Sequence, residues 1–141
     1  MERVTKVFAA VVALSLLAGA AGAEPIDWNT LAGEDTVVVL TKEADGAPRE
    51  TTVWMVVVDG QGYVRTGDTH WHRNIARDPK IGVRIAAVGY AVTAEHVVDP
   101  ALRARINAAF SAKYGFSNTF VGWFASQDKA QILALVPRGA P

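Results

Sequence analysis

The chain has 141 residues, with 14 lysines and arginines against 14 aspartates and glutamates, and no cysteine. That length corresponds to one domain. The even charge balance gives no electrostatic footprint for nucleic acid or acidic membranes, and the missing cysteine excludes disulfides, thiolate nucleophiles and cysteine-ligated metals.

Residues 1–23 read as a secretory signal peptide. Arg3 and Lys6 form a short basic head, an apolar run follows from Val7 to Ala18, and Ala21-Gly22-Ala23 supplies the small residues of a cleavage site. The 12-residue run is short for a membrane span, which needs about 20, so cleavage after Ala23 is expected and retention as an anchor is the alternative. Removing Glu2, Arg3 and Lys6 with the leader leaves one more acid than base. The expected location is periplasmic or secreted, without stable membrane insertion after cleavage.

Residues 24–35 form a polar entry segment in which Ile26 and Leu31 begin a short helix. The β-branched run Thr36–Lys42 is a buried strand. Thr51–Val58 is a second strand, ended by the hairpin signal Asp59-Gly60, and Gln61–Thr66 returns as a third. Period-two alternation sets Tyr63 and Arg65 on one face of that strand, Val64 and Thr66 on the other. From Thr69 the period becomes helical, with Trp71, Asn74 and Ile75 on one side, until Asp78-Pro79 stops it. Ile81–Ala87 and Gly89–Val97 read as a strand pair turning through Ala87-Val88-Gly89. Asp99 caps a second helix with Pro100 at its first position, an apolar stripe of Leu102, Ile106, Ala109, Phe110 and Tyr114, and Gly115 at its end. An aromatic connection over 116–127 leads to a last strand, Ala130–Pro137. The order βββαββαβ predicts an α+β domain over residues 36–138: a six-stranded antiparallel split barrel with two flanking helices.

The run VWMVVVDGQGYVRTGDTHWHRNIARDPKIGVRI resembles the split-barrel flavin-binding superfamily typified by pyridoxamine 5′-phosphate oxidase, nearest its deazaflavin-dependent nitroreductase-like branch. The shared features are an apolar strand, the Asp59-Gly60 turn, a strand ending at Thr66, Trp71, Asn74-Ile75 and Asp78-Pro79. The Lys113-Tyr114-Gly115 helix end and the closing strand also fit. The resemblance implies a homodimer with FMN or a deazaflavin in a groove between two barrels, acting as an oxidoreductase on a small organic substrate. It places the cofactor phosphate near the third strand and the following helix. There Arg65, Thr66, Arg73 and Asn74 would hold it, Arg49 could reach it, and Trp71 would stack on a ring or wedge the helix onto the barrel. One departure is visible: where the oxidase branch carries Ser-Arg-Lys for the phosphate, this chain has Thr69-His70-Trp71.

Other chemistries lack equipment. No serine stands in a strand–turn–helix elbow, so no catalytic triad can be argued, and no phosphate-cradling glycine loop is present. His70 and His72 are two apart on a helix start, where side chains diverge. They read as solvated residues rather than metal ligands, even with His96 or Asp68 as a third group. Arg77 with Asp78, and Arg84 with Glu95, read as surface pairs, and Trp54 as barrel core or a dimer contact. Two alternatives to the oxidoreductase stand. One is a cofactor-free protein taking a haem-like or apolar ligand in the same groove, with Phe116, Phe120, Trp123 and Phe124 as an aromatic flap. The other is a structural dimer module.

Overall fold

The computed structural model describes residues 25–115 and 130–138. The leader and the aromatic connection lie outside the described residues. A 3-10 turn, Trp28–Leu31, precedes strand β1 (Thr36–Lys42), β2 (Pro48–Val58) and β3 (Gln61–Thr66). Helix α1 (His70–Arg77) leads to β4 (Lys80–Ile85) and β5 (Val88–His96), and helix α2 (Pro100–Tyr114) to β6 (Gln131–Pro137). The strands close in the order β1-β2-β3-β6-β5-β4, antiparallel throughout, with β4 pairing back to β1. This is a six-stranded antiparallel barrel with two helices, as the pattern of short β-branched runs and turns predicts.

Alternation along each strand divides the apolar side chains between two cores. Val37, Val39, Met55, Val64, Val83, Val92, Leu133 and Leu135 fill the barrel interior. Val56, Tyr63 and Ile132 point outward and are covered by Ile106 and Phe110 of α2. Trp54 also faces α2, so it belongs to this outer layer and not to the barrel interior.

The two barrel ends are closed differently. At the end where β2 turns into β3, Trp28 enters the inner core at 3 % exposure. The entry segment, expected to be polar with a short helix begun by Ile26 and Leu31, therefore also supplies a plug. At the opposite end α1 lies across the rim and contributes Trp71, Asn74 and Ile75, the residues expected to share one face. Thr69 caps the helix, its hydroxyl accepting from His72 N at 3.2 Å. Trp71 is 5 % exposed and packs against the barrel core, which wedges the helix onto the rim.

The β4–β5 turn differs from the expectation. Ile85 pairs with Val88, so the turn is the two-residue Ala86-Ala87, with φ of 50° and 71°. A tight hairpin needs left-handed backbone at both positions, and neither alanine advertises it. β2 also starts earlier than the Thr51 expected, because Pro48, Arg49 and Glu50 pair with Lys42, Thr41 and Leu40.

Two stability measurements follow from these contacts. A Cβ added at Gly62 would sit 2.5 Å from Trp28 Cζ3, a rigid ring with no room to move. Gly62→Ala should cost about 1–3 kcal/mol in urea unfolding. Replacing Ala86-Ala87 by Asn-Gly should raise stability by about 1 kcal/mol, since left-handed alanine is strained.

Candidate functional site

Where α1 crosses the rim, a charged cluster fastens it to the β1–β2 hairpin. Thr41 pairs with Arg49, which brings the Arg49 guanidinium to Glu43 just beyond β1. Arg49 Nε and Nη2 donate to Glu43 Oε2 at 2.9 and 2.8 Å. The buried Asn74 amide donates to Glu43 Oε1 at 2.8 Å and to Thr41 Oγ1 at 3.1 Å. Arg77 donates to Asn74 Oδ1 and to the Lys42 carbonyl, so it does not form the pair with Asp78 expected from their adjacency. Hydrogen bonds from Arg49 and then Asn74 hold the Glu43 carboxyl down at about 2. Glu43 was not singled out in the sequence; the signal that could have found it is its position opposite Arg49 across a hairpin. Arg84 similarly pairs with Glu50 at 2.8 Å, reaching across β1, rather than with Glu95.

The outer face of β3 presents a different environment. Arg65 points outward, as alternation requires, into the space beneath α2. Its Nη1 donates to Asn107 Oδ1 at 2.9 Å, and the guanidinium lies 4.1 Å from the Phe110 ring centroid. A cation over an aromatic face is favourable, yet burial draws the Arg65 pKa down to about 10. The last turn of α2 adds a clamp. Tyr114 stacks on Trp54 with centroids 4.2 Å apart. Its hydroxyl lies 2.6 Å from both the Met55 and Asp35 carbonyls and accepts from Met55 N at 3.1 Å. Burial is the main cause that raises this phenol to about 12. Lys113 donates to the carbonyls of Ala32, Glu34 and Met55.

Thr66, one residue beyond Arg65, points into the barrel end and is 4 % exposed. Its hydroxyl donates to the Gly67 carbonyl at 3.0 Å and lies 2.9 Å from Thr69 Oγ1, which ties β3 to the start of α1. Arg73 lies on the exposed side of α1, with Nη1 2.6 Å from Asp68 Oδ1. The six residues expected to bind one cofactor, four of them at its phosphate, thus fall into three environments. Arg49 and Asn74 meet at Glu43; Thr66 and Arg73 belong to the start of α1, with Trp71 packed inward; Arg65 lies under α2. Consecutive strand residues point to opposite faces, so the Arg65 and Thr66 side chains diverge. An anion engaging Arg49 and Asn74 would compete directly with Glu43.

The sign of the pH dependence follows from these shifts. Glu43 has a folded pKa below its ordinary 4.5, so its contribution is complete above pH 4.5 and fades as pH falls toward about 2. Tyr114, raised from 10 to about 12, contributes fully below pH 10 and loses its effect as pH rises toward 12. Urea unfolding across pH should show Glu43→Gln flattening the acid limb and Tyr114→Phe flattening the alkaline limb. An unchanged wild-type profile in either variant contradicts the corresponding assignment.

Several solved structures share this fold. The conserved hypothetical protein Rv2991 from Mycobacterium tuberculosis superposes with a TM-score of 0.63 and 19 % identity, covering 84 % of each chain. HutZ, the heme storage protein of Vibrio cholerae, gives 0.63 at 13 % identity over 80 % of this chain and 88 % of its own. A Listeria innocua protein named for pyridoxamine 5′-phosphate oxidase gives 0.61 at 16 % identity, covering 79 % and 90 %. The barrel therefore shares its fold with these structures, one of them named for pyridoxamine 5′-phosphate oxidase, which is the fold the sequence resembled. No curated protein matches the chain in sequence. A family model does, over residues 27–135, and the chain belongs to that family, described as an uncharacterized protein conserved in bacteria (DUF2255).

Proposed function

We propose that this is an exported split-barrel protein that pairs with a second copy and holds FMN or a deazaflavin in the groove between the barrels. In this reading it oxidises or reduces a small organic substrate. The observation that carries the reading is Arg65. It is a half-buried guanidinium on the outer barrel face whose charge is disfavoured by burial. An anionic group brought against it recovers the lost solvation through charge-assisted, bidentate hydrogen bonds.

The fit to such a ligand is uneven, and the unevenness makes the proposal specific. Arg65 fits the phosphate end, with Asn107 orienting its guanidinium and Phe110 offering an apolar wall. Arg73 is half exposed and fits a supporting role at the groove edge, through whichever copy brings α1 there. Thr66 and Trp71 support the helix from within the barrel. Arg49 and Asn74 are held by Glu43 and serve by keeping α1 seated. When bound, the flavin-type ring supplies the hydride or electron transfer; the chain's own residues bind its anion, orient it and exclude water.

A second reading is favoured by the similarity to proteins named for heme storage and heme binding. In it the same groove takes haem, whose propionates would use the Arg65 site. Titrating purified protein with FMN, a deazaflavin and haemin separates the two readings by their absorption bands. Arg65→Ala should weaken whichever ligand binds by roughly 10- to 100-fold, the worth of a charge-assisted hydrogen bond. Arg49→Ala should leave affinity within about threefold while lowering stability. A protein that takes up none of the three, or whose uptake ignores Arg65→Ala, contradicts the proposal.

A further inference from the structure

The rim that carries α1 holds a second arrangement, which the flavin reading does not use. β5 and β6 are antiparallel, as are β6 and β3, so the end of β5 and the start of α1 lie at the same barrel end. His72 of α1 and His96, the last residue of β5, meet there with their Nε2 atoms 3.0 Å apart. The His70-Trp71-His72 run separates as helical geometry requires. His70 Nδ1 turns to within 4.0 Å of Glu43, while His72 turns to His96. A histidine pair therefore exists, but its second member comes from a strand 24 residues away.

We propose that His72 and His96 form a binding site for one divalent transition ion of borderline softness, zinc or copper, with the remaining positions open to water or an added ligand. Imidazole nitrogen suits these ions. Two metal–nitrogen bonds of about 2.0–2.1 Å at right to tetrahedral angles separate the nitrogens by roughly 2.9–3.4 Å, which brackets the observed spacing. Without an ion, one Nε2–H donates to the other Nε2, and the rings meet nearly head on, at 73° with centroids 5.3 Å apart. Chelation needs each ring to carry its proton on Nδ1 and to pivot until the two lone pairs converge. Both side chains have the freedom to do so, since His96 is exposed and His72 only half-buried.

The scaffold around the pair is fixed even though the rings are not. His72 N is bonded to the Thr69 hydroxyl at 3.2 Å, and His96 is paired with Leu133. Holding two ligands on separate rigid elements converts the second metal bond into an intramolecular one. Asp68 and Arg73, which pair with each other at 2.6 Å, stand beside His72 on the solvent side. Among the described residues no group of three histidines, cysteines or carboxylates converges, so this is an open two-histidine site rather than a closed structural one.

The test uses tag-free protein with zinc in calorimetry and copper(II) in electron paramagnetic resonance. We expect one ion per chain, with nitrogen hyperfine structure from two imidazoles. His72→Ala and His96→Ala should each weaken binding roughly 100-fold, the loss of chelation, and His70→Ala should leave it unchanged. All three positions are exposed or half-buried, and matching thermal melts will show that each variant folds. Absence of a one-to-one site, or a site unaffected by either His72→Ala or His96→Ala, overturns the assignment. Because Arg65→Ala does not touch this pair, metal binding should survive in that variant, which keeps this inference separate from the fate of the flavin reading.

Discussion

A closed antiparallel barrel has no free sheet edge, and its interior here is filled with side chains. The strands pair all the way round the ring, and Val37, Val39, Met55, Val64 and Leu133 pack the inside, with buried Thr41, Thr66 and Asn74 gathered at the α1 end. Chemistry is thereby confined to the rims and to the outer wall. The rim occupied by α1 and the wall beneath α2 are where charged and aromatic side chains collect. That confinement explains why the residues of interest cluster at strand ends and on two helices.

The same geometry partitions the arginines. Arg49 is held at the rim by a carboxylate, Arg73 by another, and Arg65 lies beneath a helix against an amide and a phenyl ring. A guanidinium already matched to a carboxylate gains little from a ligand anion, because one ion pair replaces another. One whose charge is penalised by burial gains more. Burial beneath α2, not the number of arginines in the stretch from Arg65 to Pro79, singles out Arg65.

Much of the architecture was legible in the sequence. β-branched runs, Asp59-Gly60, Asp99-Pro100 and the Trp71–Asn74–Ile75 face placed most elements, because burial and turn chemistry are local signals. What escaped is non-local. Nothing at Trp28 marks it as a barrel plug, since its counterpart is the missing side chain of Gly62. Nothing at Glu43 foretells Arg49 and Asn74, and His72 reaches His96 only once six strands have closed. Ala86-Ala87 forms a tight turn against its own preference, so pairing of the flanking strands overrides propensity there. The alternation that separates Arg65 from Thr66 was readable, and applying it to their side chains would have divided the expected phosphate site from the outset.

The most direct test of the ligand account is side-chain NMR during titration with FMN, a deazaflavin or haemin. The account predicts that the Arg65 guanidinium, the Asn107 amide and the Phe110 ring shift together with ligand occupancy, while the Arg49 and Asn74 signals stay in place. Shifts confined to Arg49 and Asn74, with Arg65 unmoved, would contradict it.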